Sequence, residues 1–214
     1  MIEYIVPENI DDRILSKTAN ILHNGGVVAL PTDTSWSVVC SMNSREGIKR
    51  LKSLSKERDE RLFTLLCSDI SQFGEFCSLD NTRFRLIKRL SPGPYVFILK
   101  TLLGTEKTLG LRRQEIGVRL PDYSVPLAVI NTLGCPLYGI TAKRNMLADE
   151  LDHDLEDLWS EETLFEGGWE LEDIQGIDVI LDPGEDRHRI YSTVLDLSSG
   201  EVQIVRQGAG HWPA

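Results

Sequence analysis

The segment 25–40, GGVVALPTDTSWSVVC, constrains the fold most, because two apolar runs flank a short polar turn. The first run, 27–30, predicts a buried strand that ends at Pro31, since proline has no N–H to donate to a sheet. The second run predicts another strand. The hydroxyl and carboxylate side chains at 32–34 either face a ligand or hydrogen-bond within their own turn, which is the commoner role of such residues.

Composition indicates a globular protein of enzyme size. The chain has 214 residues, of which 41% are hydrophobic, enough to bury a substantial core. No apolar run approaches the roughly 18 residues that suggest a membrane span, and the N-terminal residues are acidic where a signal peptide is basic. We therefore expect a soluble, cytoplasmic protein with no membrane partner. The 4 cysteines and 4 histidines lack the spacing of a disulfide scaffold or a zinc site.

The charges are unevenly distributed along the chain. The net charge is -10, yet residues 145–186 hold 16 of the 33 acidic residues and no lysine or arginine. The rest of the chain is therefore basic, which favours a phosphate-bearing ligand such as a nucleotide or a nucleic acid. The acidic excursion at 145–186 is interpreted as a solvated surface segment or a lid, as charge runs usually are.

Helical and strand patterns alternate early in the chain, and strand patterns dominate late. The predicted helices cover 11–23, a segment capped by Asn43, 81–90, and 124–133 with Ser124 as its cap. The other predicted strands are 62–67, 95–99, 116–120, 137–141, 177–181, 192–197 and 202–205. This order predicts an α/β fold with a twisted, partly open mixed sheet and flanking helices. Neither a P-loop nor a dinucleotide-binding glycine motif is present.

Five motifs stand in order along the chain. They are PTDTSWSV from Pro31, SPGPYVFIL from Ser91, IGVRLPDYSVP from Ile116, GCPLYGITA from Gly134 and YSTVLDL from Tyr191. Together they resemble the YrdC-like family of threonylcarbamoyl-adenylate synthases, and the linking segments are most similar to its YciO branch. The resemblance implies one YrdC-like domain over 1–214, without the additional C-terminal domain of longer members. It also implies a large, concave, positively charged surface on the open sheet.

The resemblance implies a nucleotidyltransferase linked to a modified adenosine of tRNA. In that reaction L-threonine, bicarbonate and ATP give threonylcarbamoyl-adenylate and pyrophosphate, with Mg²⁺ expected on the phosphates. No covalent nucleophile or acid–base residue is assigned, because positioning and charge stabilisation serve this chemistry. Two alternatives stay open: a related enzyme that activates another carbamate or carboxylate with ATP, and a double-stranded RNA-binding protein that uses the basic concavity.

Positions that match the family motifs give the candidate site. By this resemblance Thr34 contacts the threonine substrate, and Arg119 pairs with its carboxylate through a bidentate fork. An arginine in a strand can equally face solvent or form a structural salt bridge. The other candidates for threonine binding are Thr141, Ser192 and Thr193, and those for nucleotide binding are Lys56, Arg58, Arg61, Lys143 and Arg206.

Two basic candidates depend on the alignment. Lys56 and Arg58 align with the family's KxR motif only if a gap of about one residue is placed between this motif and the next strand. Without that gap, Ser55 and Glu57 occupy these places, and the carboxylate would repel phosphate. Arg61 supplies a basic residue under either alignment. The segment otherwise has the composition of a solvated helix end.

Two further motifs depart from the family pattern. The family's SAN tripeptide reads Thr-Ala-Lys at 141–143, which replaces an amide by the ammonium of Lys143. In the PTDT motif, Trp36 replaces a tyrosine and Ser37 a glycine. Trp36 either fills the core or stacks on adenine, and core packing is the commoner role of a buried aromatic side chain.

Overall fold

The computed structural model describes residues 1–55, 63–147 and 160–212. The strands are β1 Ile2–Tyr4, β2 Val28–Pro31, β3 Trp36–Ser41, β4 Thr64–Leu66, β5 Tyr95–Lys100, β6 Glu115–Arg119, β7 Leu137–Thr141, β8 Val179–Asp182, β9 Thr193–Asp196 and β10 Gln203–Arg206. The helices are α1 Asp12–His23, α2 Arg45–Ser55, α3 Ile70–Phe76, α4 Asn81–Leu90, α5 Thr105–Leu109 and α6 Ser124–Leu133.

The strands form one mixed sheet with the order β1-β8-β2-β3-β7-β4-β6-β5-β9-β10. The sheet contains antiparallel pairs such as β2/β3 and β3/β7 and parallel pairs such as β4/β6 and β5/β9. The prediction of an α/β fold with a mixed sheet and flanking helices is confirmed. The segment 25–40 forms the β2–β3 hairpin, and β2 ends at Pro31 as expected.

Neighbouring side chains of β3 show how the two faces of the sheet differ. Cys40 faces α2, because a Cβ added to Gly47 of that helix would lie 3.0 Å from the Cys40 Cβ. Ser37 lies three residues before Cys40 in β3. Because side chains alternate along a strand, Ser37 points to the other face of the sheet. That other face carries a cavity, which Ser37 lines. Helix α2 and the cavity therefore lie on opposite faces of the sheet.

Two predicted helix caps are wrong. Helix α2 is capped by Ser44, whose Oγ accepts a hydrogen bond of 3.1 Å from the Gly47 N–H, so Asn43 is one residue too early. Helix α6 begins at Ser124 itself. The Ser124 hydroxyl donates to the Pro7 carbonyl at 2.6 Å, which ties the start of α6 to the N-terminal segment.

The described part of the acidic excursion is built into the protein. The side chains of Leu164, Phe165 and Leu171 are fully buried, and β8 pairs with both β1 and β2 inside the sheet. The interpretation of 145–186 as a solvated segment is therefore wrong for residues 160–176, because a count of charges overlooks the apolar residues between them. The strand predicted at 177–181 is present as β8. Residues 148–159 lie outside the described residues.

Close approach of two strands makes Gly139 sensitive to substitution. A Cβ at Gly139 of β7 would lie 2.6 Å from Cγ1 of Val39 and 3.0 Å from the Val38 carbonyl oxygen. We expect Gly139→Ala to lower the free energy of unfolding by about 1–3 kcal/mol, as overpacking does. A Cβ added to Gly74 in α3 would meet no heavy atom within 4 Å other than those of its chain neighbours and its own helix backbone. Gly74→Ala is the control and should stabilise by about 0.5–1 kcal/mol, measured by urea unfolding.

Candidate functional site

A cavity of about 230 Å³ opens on the sheet face opposite α2. Seven strands contribute to its lining, namely β3, β4, β5, β6, β7, β9 and β10, and its apolar residues include Val96 and Ile98 of β5. The polar lining residues are Ser37, Thr64, Arg119, Thr141, Lys143, Ser192 and Arg206. Within the described chain, this lining contains three cationic residues and no carboxylate. The cavity is therefore suited to an anionic ligand.

Arg119 joins the PTDT turn to the last part of the sheet. Its side chain is almost completely buried, and its Nη1 donates to Thr34 Oγ1 at 3.0 Å and to Ser192 Oγ at 2.8 Å. The Nε donates to the Gly93 carbonyl at 3.3 Å. Three predicted threonine-binding residues, Thr34, Arg119 and Ser192, thus form one hydrogen-bonded cluster.

Asp33 completes this cluster and was not predicted as a site residue. Its Oδ1 accepts a hydrogen bond of 2.6 Å from Arg119 Nη2, so the structural salt bridge considered for Arg119 is present. The Asp33 Oδ2 is buried and has no hydrogen-bond partner among the described residues. These hydrogen bonds use four of the five N–H groups of the Arg119 guanidinium. The fifth, on Nη2, donates to none of these partners.

The side chains of the turn at 32–34 are hydrogen-bonded to other groups of the protein, whereas one of the two interpretations of the sequence has them facing a ligand. Thr32 Oγ1 donates to the Ser35 carbonyl at 2.7 Å, which is a hydrogen bond within the turn. Asp33 is occupied by Arg119. Thr34 contacts the same guanidinium at 3.0 Å. The turn at 32–34 therefore positions the side chain of Arg119. Arg119 lines the cavity, whereas residues 32–34 are not among its described lining.

Burial and charge act in opposite directions on Arg119. Removal from water lowers the pKa of its guanidinium below the ordinary value, and the Asp33 carboxylate opposes that shift. Burial also lowers the pKa of Arg206 to about 10, so this side chain stays charged at neutral pH. The Arg206 guanidinium lies 4.6 Å from the centre of the Tyr191 ring and donates to the Ser192 carbonyl. Both arginines are thus held by fixed partners.

The other predicted residues divide by strand geometry. Thr141 and Lys143, at and just beyond the end of β7, line the cavity. Thr193 does not belong to the described lining: its hydroxyl donates to the Gly210 carbonyl at 2.5 Å and accepts from the Gly208 N–H. Since side chains alternate along a strand, Ser192 reaches the cavity and Thr193 points away. Lys56, Arg58 and Arg61 lie outside the described residues.

Trp36 belongs to the core. Its side chain is 0% exposed, and its Nε1 donates to the Glu166 carbonyl at 3.0 Å. Core packing, one of the two roles considered for it, is therefore the observed one. The neighbouring Ser37 is the residue of this pair that lines the cavity.

The cysteines of this chain are buried, free thiols. Burial raises the pKa of Cys40 and Cys77 to about 12, so both are protonated at neutral pH and are poor nucleophiles. Within the described ranges, no three His, Cys, Asp or Glu side chains come together as metal ligands. None of the helices in these ranges is long and apolar enough to span a bilayer.

Sequence comparison places this chain among proteins of several organisms. A protein of Haemophilus influenzae is 31% identical over 97% of this chain and 95% of its own length. The threonylcarbamoyl-AMP synthase of Mus musculus is 27% identical over 87% of this chain and 64% of its own length. The second relative is thus considerably longer than this chain.

Comparison with solved structures also finds relatives that match nearly the whole chain. The crystal structure of Escherichia coli YciO matches with a TM-score of 0.82 and 28% identity, over 99% of this chain and 97% of that one. The crystal structure of P. abyssi Sua5 complexed with L-threonine matches with a TM-score of 0.79 and 21% identity, over 97% and 57%. The family model for Sua5, YciO and YrdC, described as "Telomere recombination", matches residues 20–158. The chain belongs to the Sua5, YciO and YrdC family.

Proposed function

We propose that this chain is a nucleotidyltransferase that makes threonylcarbamoyl-AMP and pyrophosphate from L-threonine, bicarbonate and ATP. The observation that carries the proposal is the cavity itself, where Arg119, Lys143 and Arg206 meet several hydroxyl groups and the described lining has no carboxylate. The mouse relative is a threonylcarbamoyl-AMP synthase. A structural relative is complexed with L-threonine. Both support an amino acid and a nucleotide as substrates.

The threonine carboxylate is proposed to bind at Arg119. The N–H left on its Nη2 is a donor, and the Ser192 hydroxyl beside it is a second one. Asp33 and Thr34 are positioning residues, because they fix the guanidinium without belonging to the described lining of the cavity. The negative charge of Asp33 reduces the attraction of Arg119 for a second carboxylate. Additional contacts to the ligand, as from Thr141, are therefore needed.

The ATP phosphates are proposed to bind near Lys143 and Arg206. Both side chains line the cavity, and Lys143 lies just after β7 while Arg206 lies in β10. Two cations from different strands can hold the α-phosphate and the departing pyrophosphate in one orientation. ATP is proposed to enter as its Mg²⁺ complex, with the metal on the phosphates, since the described lining offers it no carboxylate.

The proposed reaction needs no covalent intermediate with the protein. The amine of threonine adds to the carbon of bicarbonate and water leaves, which gives the carbamate. A carbamate oxygen then attacks the α-phosphorus of ATP, and the bond from that phosphorus to the bridging oxygen of pyrophosphate breaks. Lys143 and Arg206 would stabilise the charge that develops on the phosphate oxygens and on the leaving group.

Loss of either cavity cation should weaken nucleotide binding. We expect Lys143→Ala and Arg206→Ala each to raise the Kd for Mg·ATP about tenfold, equivalent to about 1.4 kcal/mol, measured by isothermal titration calorimetry. The control is Arg13→Ala. Arg13 is exposed on α1, so this substitution removes one positive charge outside the cavity. An unchanged Kd in both cavity variants would contradict this placement of the phosphates.

The activity itself is tested with isotopically labelled bicarbonate. Incubation with Mg·ATP, L-threonine and ¹³C-bicarbonate should give an adenylate whose mass includes threonine and the label. A labelled adenylate formed only with a different amine, or an unlabelled acyl adenylate formed with a carboxylic acid, would replace the proposal by the related enzyme that activates another substrate. RNA binding in the cavity stays a prediction, and its described lining supplies no aromatic side chain for base stacking.

A further inference from the structure

A second arginine, Arg187, holds the turn at 32–34. It lies in the connection between β8 and β9 and is not part of the described lining of the cavity. Its Nη2 donates to the carbonyl oxygen of Thr32 at 2.9 Å. Thr32 is completely buried, so solvent does not reach this carbonyl. Arg187 therefore satisfies a backbone acceptor that is costly to leave unpaired.

The hydrogen bonds of this turn fall into two groups. Those within the turn fix its shape, since the N–H and the Oγ1 of Thr32 both donate to the Ser35 carbonyl, at 3.1 and 2.7 Å. Those that reach residues 32–34 from the rest of the described chain fix its position, and they come from Arg119 and Arg187. Arg119 is the group that the turn has to position. Arg187 therefore supplies the support that does not depend on Arg119.

Arg187 is itself held in place by two neighbours. Its Nη1 donates to Tyr123 Oη at 3.3 Å, and its guanidinium lies 4.4 Å from the centre of the Tyr123 ring. Its backbone N–H donates to the Glu166 carbonyl at 2.8 Å. The same carbonyl accepts a hydrogen bond of 3.0 Å from Trp36 Nε1. The segment 160–187 is therefore joined to the β2–β3 hairpin through both Trp36 and Arg187.

We propose that Arg187 is a positioning residue for the threonine substrate, which it does not itself touch. It fixes the Thr32 carbonyl, and the peptide group that contains this carbonyl is planar. The orientation of that group decides where the Asp33 carboxylate lies, and Asp33 Oδ1 is the partner of Arg119 Nη2 at 2.6 Å. A displacement of a binding group by about 1 Å can lower a rate roughly hundredfold. The inference rests on the proposed function, in which Arg119 binds the threonine carboxylate.

Threonine binding by Arg187→Ala tests the proposal. Calorimetry should show the Kd for L-threonine raised at least about tenfold, because Arg119 is no longer held in place. The Kd for Mg·ATP should stay within about twofold, since the phosphates are proposed to bind elsewhere, at Lys143 and Arg206. A general loss of structure would weaken both ligands alike. Arg187→Lys keeps a donor for the Thr32 carbonyl but loses the planar group over Tyr123, so its Kd for L-threonine should lie between those of the wild type and Arg187→Ala.

The matched control is Arg189→Ala. Arg189 is also half-buried, lies two residues further along the same connection, and has its Nε 3.1 Å from Glu166 Oε1. Its described contacts do not include the turn at 32–34. The control removes the same charge and should leave the Kd for L-threonine within about twofold. An unchanged Kd in Arg187→Ala, or an equal rise in both variants, would overturn the proposal.

A second measurement separates this inference from the proposed function. If the wild type binds no L-threonine, the proposed function fails, whereas the support that Arg187 gives to Arg119 is still measured by urea unfolding. Arg187→Ala should change the unfolding equilibrium constant by a factor at least about threefold smaller when Asp33→Ala and Arg119→Ala are already present, because the supported pair is then gone. Equal factors in the two backgrounds would overturn the positioning role.

Discussion

Replacement of Arg119 by alanine is expected to lower the free energy of unfolding by about 3–5 kcal/mol and to abolish L-threonine binding. The stability is lost because the Asp33 carboxylate, 2.6 Å from Arg119 Nη2, would stay mostly buried without its cation. The binding is lost because the proposed donor to the substrate carboxylate is removed. Urea unfolding measures the first effect and calorimetry with L-threonine measures the second.

A double substitution separates the two effects. Arg119→Ala combined with Asp33→Ala removes both charges, so most of the stability should return while threonine binding should not. Arg119→Lys keeps the charge but has no fork with which to hold Asp33, Thr34 and Ser192 together. We expect it to bind threonine far more weakly than the wild type. Normal threonine affinity in the double variant would show that the amino acid binds elsewhere.

Replacement of Trp36 by alanine is expected to lower the free energy of unfolding by about 3–5 kcal/mol, as other buried Trp→Ala changes do. The side chain is fully buried, and its Nε1 donates to the Glu166 carbonyl at 3.0 Å. The change would therefore open a cavity in the core and release the contact between the β2–β3 hairpin and the segment 160–186. Urea unfolding with tryptophan-independent detection, such as circular dichroism, measures the loss.

A milder substitution distinguishes packing from nucleotide stacking. Trp36→Phe keeps an aromatic ring but leaves the Glu166 carbonyl without its donor, at a cost of about 1–3 kcal/mol. The Kd for Mg·ATP should stay within about twofold of the wild type, a difference near 0.4 kcal/mol. A large loss of ATP affinity with unchanged stability would instead indicate that Trp36 stacks on adenine.

The sequence predicts those elements whose apolar pattern is long or bounded by clear stop signals. Strand β7 has the predicted bounds 137–141, and α4 agrees with the predicted helix 81–90. Strand β1 and helices α3 and α5 were not predicted, because 3 to 7 residues are too few to display a period. The packing of residues 160–176 was misjudged because their acidic residues dominate the charge count, while apolar residues such as Leu164, Phe165 and Leu171 are buried in the core.

The site was predicted in part because motif resemblance names residues, whereas contacts depend on the fold. Thr34, Arg119 and Ser192 form one hydrogen-bonded cluster, although Arg119 and Ser192 are 73 residues apart in the chain. The pairing of Asp33 with Arg119 could not be read from either motif alone, because it arises where a turn and a strand of distant sequence meet. Thr193 is not part of the described cavity lining, although its neighbour Ser192 is, because adjacent side chains of a strand point to opposite faces of the sheet.

Pyrophosphate release tests the proposed function most directly. Purified protein with Mg·ATP and bicarbonate should release pyrophosphate when L-threonine is present and not when it is omitted, and the variant with both Arg119→Ala and Asp33→Ala should release none under either condition. Release that does not depend on threonine, or equal release by the wild type and that variant, would contradict the assignment of the Arg119 cavity as the site of threonylcarbamoyl-AMP synthesis.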